Sequence, residues 1–85
     1  MASYRLSFKS SVARDLRSIP NQDVAKILAR IEVLADNPRP PGCEKLSGLP
    51  RSRVRQGVYR IVYDIQDDVL LVRVVKSGHR TDVDR

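Results

Sequence analysis

Three prolines within four residues divide the chain into halves that obey different periodicities: Pro38, Pro40 and Pro41 in the stretch NPRPPG, residues 37–42. No helix continues through such a segment, because each proline removes a backbone donor and fixes φ. Before it, Val24, Ile27, Leu28, Ile31, Leu34 and Ala35 recur at helical spacing, the strongest periodic signal in the sequence. After it the period falls to two. Tyr59, Ile61, Tyr63 and Ile65 alternate with Val58, Arg60, Val62 and Asp64, the pattern of a strand in the middle of a sheet.

The remaining elements follow from the same rules. Residues 3–8, SYRLSF, set Tyr4, Leu6 and Phe8 against Arg5 and Ser7 and predict a half-buried strand. Ser10 or Ser11 is the expected cap of a short helix through about Ile19, with Val12, Leu16 and Ile19 as its apolar stripe. Pro20 ends that helix, and Asn21 is the expected cap of the next. Arg51 to Gln56, Val58 to Ile65 and Val69 to Lys76 read as three strands, with turns at Gly57 and at Gln66-Asp67-Asp68, and Ser77-Gly78 as the stop. The order predicts one α+β domain over residues 1–85: an N-terminal strand, a helical hairpin, then a three-stranded antiparallel meander, with both helices on one face of the sheet. A domain of 85 residues has one modest core, so a site on it is expected to be a shallow groove.

Charge narrows the function. The formal net charge is +6, and twelve of the sixteen basic residues are arginines, whose planar fork matches phosphate and carboxylate better than lysine does. Residues 45–60 hold Lys45, Arg51, Arg53, Arg55 and Arg60 without an acid, the footprint of a nucleic-acid or acidic-protein partner. Arg53 and Arg55 are two apart and share one side of their strand. If that is the uncovered side, and Arg60 projects there from the neighbouring strand, three guanidinium groups converge on one anion site.

Other chemistries are excluded. A single cysteine, Cys43, rules out an internal disulfide and a multi-cysteine metal site, and a single histidine, His79, argues against zinc. No metal or other cofactor is expected. The start MASYRLSF carries no apolar run of signal-peptide length, and no segment has the length of a membrane span. The expected location is cytoplasmic.

The blocks LSGLPRSRVRQGVYRIVYDI and VVKSGHRTDV, with the strand, helical hairpin and proline-rich link before them, resemble the RelE/ParE superfamily of bacterial toxins, and within it the RelE-type mRNA interferases. The resemblance covers nearly the whole chain, and the block R-x-R-x-G-x-Y-R-I-V-Y is its most specific part. It implies a microbial-ribonuclease-like α+β fold, cleavage of mRNA in the ribosomal A site, inhibition of translation, and neutralisation by a cognate antitoxin encoded by an adjacent gene. By motif, Arg53 and Arg55 match the family's paired basic residues, Arg60 the arginine after the tyrosine, and Arg80 the arginine after the terminal glycine. Relatives often carry a tyrosine four residues beyond that last arginine, where this chain has Asp84.

On this reading Arg60, Arg80 and His79 are the catalytic residues, and Arg51, Arg53, Arg55, Lys45 and Lys76 bind RNA and the ribosome. Arginine is always protonated and suits charge stabilisation better than proton transfer. His79 is the only residue of a type that exchanges protons near neutrality, although it can also serve merely to end the strand. Tyr4, Tyr59 and Tyr63 are expected in the core, Asp64, Asp67 and Asp68 in a hairpin, Gly48 and Gly57 in turns, and Cys43 is expected to be inert. Two other classes stay open: a ParE-like DNA gyrase poison, and a basic RNA- or protein-binding module with weakened catalysis.

Overall fold

The computed structural model describes residues 3–46, 48 and 51–79. It has the order β1 (Arg5–Phe8), α1 (Ser11–Arg17), α2 (Asn21–Asp36), β2 (Glu44–Lys45), β3 (Arg51–Gln56), β4 (Tyr59–Gln66) and β5 (Leu71–His79). The five strands form one sheet in the order β1-β5-β4-β3-β2. The α+β architecture expected from the sequence is the one observed. The meander β3-β4-β5 is antiparallel, and β1 lies parallel to β5 at its edge.

The helices follow their apolar stripes. In α2, Ile27, Ile31 and Leu34 are buried, while Leu28, which fits the same periodicity, is 40% exposed on the outer side. Capping differs from expectation. Ser10 makes no side-chain hydrogen bond to α1, and Pro20, not Asn21, holds the position before α2, its carbonyl accepting the Asp23 and Val24 amides. Asp23 in the first turn of α2 complements the positive end of the helix dipole.

One core joins the helices to the sheet: Val12, Ile19, Ile27, Ile31 and Leu34 pack on Val54, Ile61, Tyr63, Val72 and Val74. Tyr63 is wholly buried there, and its hydroxyl donates to the Pro38 carbonyl at 2.7 Å and lies 3.2 Å from Cys43 Sγ. Burial pushes the pKa of that hydroxyl up, so it stays a donor. The proline-rich link is thus pinned to the core by a tyrosine of the central strand. Tyr4 and Tyr59 pack only partly against the core. Tyr4 donates to Asp67 at 2.6 Å, and Asp67 also accepts both guanidinium nitrogens of Arg39.

Two strand features depart from the sequence reading. Glu44 and Lys45 form an extra short edge strand on β3. The last strand begins at Leu71 rather than Val69 and runs through Ser77 and Gly78 to His79. A bulge explains how it continues: Val62 pairs with Lys76 and Tyr63 with Val74, leaving Val75 as an extra residue. The bulge reverses the alternation, turning Lys76 and Gly78 to the uncovered face and Ser77 and His79 to the helix side. Val75 joins Val62 and Leu46 in a small apolar cluster on the uncovered face.

Candidate functional site

The uncovered face is built in three rungs, since residues directly opposite in a ladder share a face. The first is Arg55 on β3, Arg60 on β4 and Gly78 on β5. The second is Glu44, Arg53, Val62 and Lys76, across β2 to β5. The third is Arg51, Asp64 and Arg73. Arg53, Arg55 and Arg60 therefore share the uncovered face on adjacent rungs, with the apolar cluster of Val62, Val75 and Leu46 beside them.

The charges on the three rungs are balanced unequally. In the third, Arg51 Nε donates to Asp64 at 3.1 Å, so Asp64 is a cross-strand partner and not a hairpin residue. In the second, Glu44 accepts from Arg53 at 2.9 Å and lies 4.0 Å from Arg55. The hydrogen bond from Arg53 lowers the Glu44 pKa, assisted by the charges of Arg53, Arg55 and Arg60. The first rung sets two arginines face to face beside a glycine. Like charges in that position work against folding, and a glycine next to them leaves room for a ligand above the sheet.

The structure separates the other sequence-predicted residues. Lys76 is exposed on the arginine face. Lys45 stands opposite Ser52, which puts it on the helix-bearing side at the sheet edge, away from the arginines. His79 stands opposite Tyr59, also on the helix side, with its ring edge-on to Tyr59 at 6.2 Å between centroids. Tyr59 in turn donates to Asp23 at 3.3 Å. Arg80 and Asp84 lie outside the described residues. Glu44 is the residue that the charge survey missed, because it stands one position before the acid-free window of residues 45–60.

Among the described residues no group of acidic, histidine and cysteine side chains has the arrangement of a metal site. Among the described residues, no helix is long and apolar enough to cross a membrane.

The chain is a small α+β protein that backs an arginine-lined sheet face with two helices and sets Glu44 and Asp64 among the arginines. Residues 6–83 match the family model described as "ParE toxin of type II toxin-antitoxin system, parDE", and the chain belongs to that family. It is a toxin of the RelE/ParE superfamily. Its structure is similar to an archaeal RelE–RelB complex from Pyrococcus horikoshii, at 25% identity over 92% of this chain and 96% of that one, with a TM-score of 0.81. The toxin–antitoxin complex RelBE2 from Mycobacterium tuberculosis gives 23% identity, 92% and 99% coverage and a TM-score of 0.79. The intact RelBE complex from E. coli gives 22%, 91% and 96%, and 0.78. At 23% and 22% the likeness is one of fold. No curated protein matches the chain.

Proposed function

We propose that the chain is a ribosome-dependent endoribonuclease that cleaves mRNA by transesterification, and that its arginine face is the reaction site. The observation that carries this reading is the Arg55–Arg60–Gly78 rung with Glu44 beside it. RNA supplies its own nucleophile, the ribose 2′-hydroxyl. As its oxygen bonds to phosphorus, the bond from phosphorus to the 5′-oxygen breaks, leaving a 2′,3′-cyclic phosphate and a 5′-hydroxyl. Arg55 and Arg60 sit where the charge of the phosphorane develops, and one such preorganised donor contributes about 2.7–4 kcal/mol. Glu44, 4.0 Å from Arg55, takes the 2′-hydroxyl proton. Water or a ribosomal group returns a proton to the 5′-oxygen, because His79, expected from the sequence to be catalytic, faces the helix side of β5. Arg53, Arg51 and Lys76 hold the flanking phosphates, Arg80 is assigned with Arg60, and the ribosome aligns the strand.

A cognate antitoxin completes the proposal. Several of the solved structures it resembles are toxin–antitoxin complexes, and a chain of net charge +6 suits a partner with an acidic segment that folds over the basic face. The family model also favours a second reading, a gyrase poison, because it is named for ParE. Primer extension on mRNA from induced cells, run beside an assay for gyrase-linked DNA breaks, separates the two. Breaks inside codons, lost when ribosomes are withheld in vitro, are the expected result. DNA breaks with intact mRNA would move the chain to the gyrase class, and neither kind of break would make it a binding module.

A further inference from the structure

We infer that a cleft at the unpaired edge of β5 is a nucleobase-recognition subsite, which reads a base with adjacent N–H donors, as guanine presents, next to the phosphate held by Arg60. This rests on the nuclease reading for its substrate.

The cleft exists because two strands end at different places. β1 pairs with β5 only from Leu71 to Val74, and the Lys9 amide closes that ladder on the Val74 carbonyl. Beyond Val74, among the described residues, the outer edge of β5 has no strand beside it, and α1 packs there instead. Asp15 of α1 accepts the Ser77 amide through Oδ2 at 3.3 Å, doing for that N–H what a neighbouring strand would have done. Between α1 and this edge lies a cleft of about 370 Å³, lined by Asp15, Ser18, Tyr59, Lys76, Ser77 and His79 among others.

Three features make it a recognition site rather than a packing gap. Ser77 lines it and is 2% exposed, and its buried hydroxyl has no hydrogen-bond partner among the described residues. A buried hydroxyl left unpaired is costly, so it points to a ligand that completes it. The Asp15 carboxylate is fixed by the Ser77 amide and presents an acceptor pair, the complement of adjacent N–H groups on a Watson–Crick edge. Tyr59 and His79 add the aromatic surface on which an unstacked base rests.

The cleft also wraps the sheet edge. Lys76 faces the arginine side and Ser77 and His79 face the helix side, yet all three line it. Gly78 between them stands opposite Arg60 and carries no side chain to block the passage. A nucleotide with its phosphate at Arg60 can therefore lay its base over the edge of β5.

The test has two arms on the full chain. In the first, the 15N-labelled protein is titrated with guanosine 5′-monophosphate and with adenosine 5′-monophosphate. The guanine nucleotide should bind about tenfold more tightly and shift the Ser77, Gly78 and His79 amides, the preference of one bidentate pair. Asp15→Asn should remove the preference, and Ser77→Ala, which keeps the Asp15 anchor on its backbone amide, should reduce it. In the second, codons are varied one position at a time on programmed ribosomes, and the wild type should cut guanine at one position about tenfold faster, a bias lost in Asp15→Asn. Equal binding of both nucleotides, or an unchanged codon profile in both variants, overturns the subsite. Guanine-selective binding without any RNA cleavage supports the subsite and overturns the nuclease reading instead.

Discussion

Arg55 and Arg60 stand directly opposite each other across the β3–β4 ladder, and the next residue on that rung is Gly78. The pair opposes the fold's own electrostatics, since like charges so placed cost roughly 0.2–1 kcal/mol. Asp64 on the third rung shows the ordinary solution, a carboxylate paired with Arg51. On the first rung Glu44 approaches Arg55 only to 4.0 Å from the neighbouring rung. Arg55 and Arg60 thus present two guanidinium groups to an anion that approaches the uncovered face.

Arg60→Ala should therefore cost activity and not stability. Cleavage on programmed ribosomes is expected to fall about 100-fold or more, the loss typical of one transition-state donor. The melting temperature should hold or rise slightly. Arg60→Lys should not restore the rate, because an ammonium lacks the planar fork. A variant that unfolds at room temperature but cleaves normally when folded would make Arg60 structural.

Glu44→Gln separates a base from a counterion. If Glu44 takes the 2′-hydroxyl proton, kcat should drop about 10²–10⁴-fold, while RNA affinity rises because an anion has left the phosphate site. The acid limb of the rate profile should lie below the ordinary carboxylate value of 4.5, since the hydrogen bond from Arg53 stabilises the ionised form. Arg53→Ala should move that limb up in pH. An unchanged kcat in Glu44→Gln would leave Glu44 as a counterion only.

The helical half of the fold was legible in the sequence because a helix repeats one rule for several turns, and Ile27, Ile31 and Leu34 obey it. The arginine face was legible as far as alternation holds, through Arg53, Arg55 and Arg60. It was lost at Val75, where one extra residue exchanges the faces of everything after it. Alternation alone would place Lys76 with Val72 and Val74 in the core and His79 on the arginine face. Glu44 was invisible for a different reason: its position depends on where the proline-rich link re-enters the sheet, which no local periodicity encodes. The same holds for Asp15, whose partner Ser77 is 62 residues away.

Acid should weaken the fold at a defined place. The guanidinium of Arg39, followed by the Tyr4 hydroxyl, holds the Asp67 carboxyl down to about 2, against 3.8 without them. A depressed carboxylate stabilises the folded state in full above the unfolded value, and that contribution disappears as pH falls through the folded value. Urea midpoints of wild type and Asp67→Asn should differ at pH 5 and converge as pH falls from 3.8 to about 2. Both Arg39 and Asp67 are more than half exposed, so the gap should also narrow in high salt. A gap that persists unchanged at the lowest pH would show that Asp67 acts by something other than its charge.

Tyr63→Phe tests whether the proline-rich link positions Glu44. The substitution keeps the ring in the core and deletes the donor to the buried Pro38 carbonyl. Leaving that acceptor unpaired should cost about 1–3 kcal/mol in a urea melt. Cys43, the other contact of the Tyr63 hydroxyl, immediately precedes Glu44, and β2 is held to β3 over only two register pairs. Loosening the link should speed hydrogen exchange at the Cys43 and Leu46 amides, which bond to Pro40 and Arg51. It should also lower kcat by misplacing the carboxylate, with RNA affinity unchanged because the arginines sit on β3 and β4. In the double variant with Glu44→Gln, Tyr63→Phe should add no further loss of kcat, since the group it positions is already disabled. Additive losses in that cycle would mean that the link and the carboxylate act on the reaction separately.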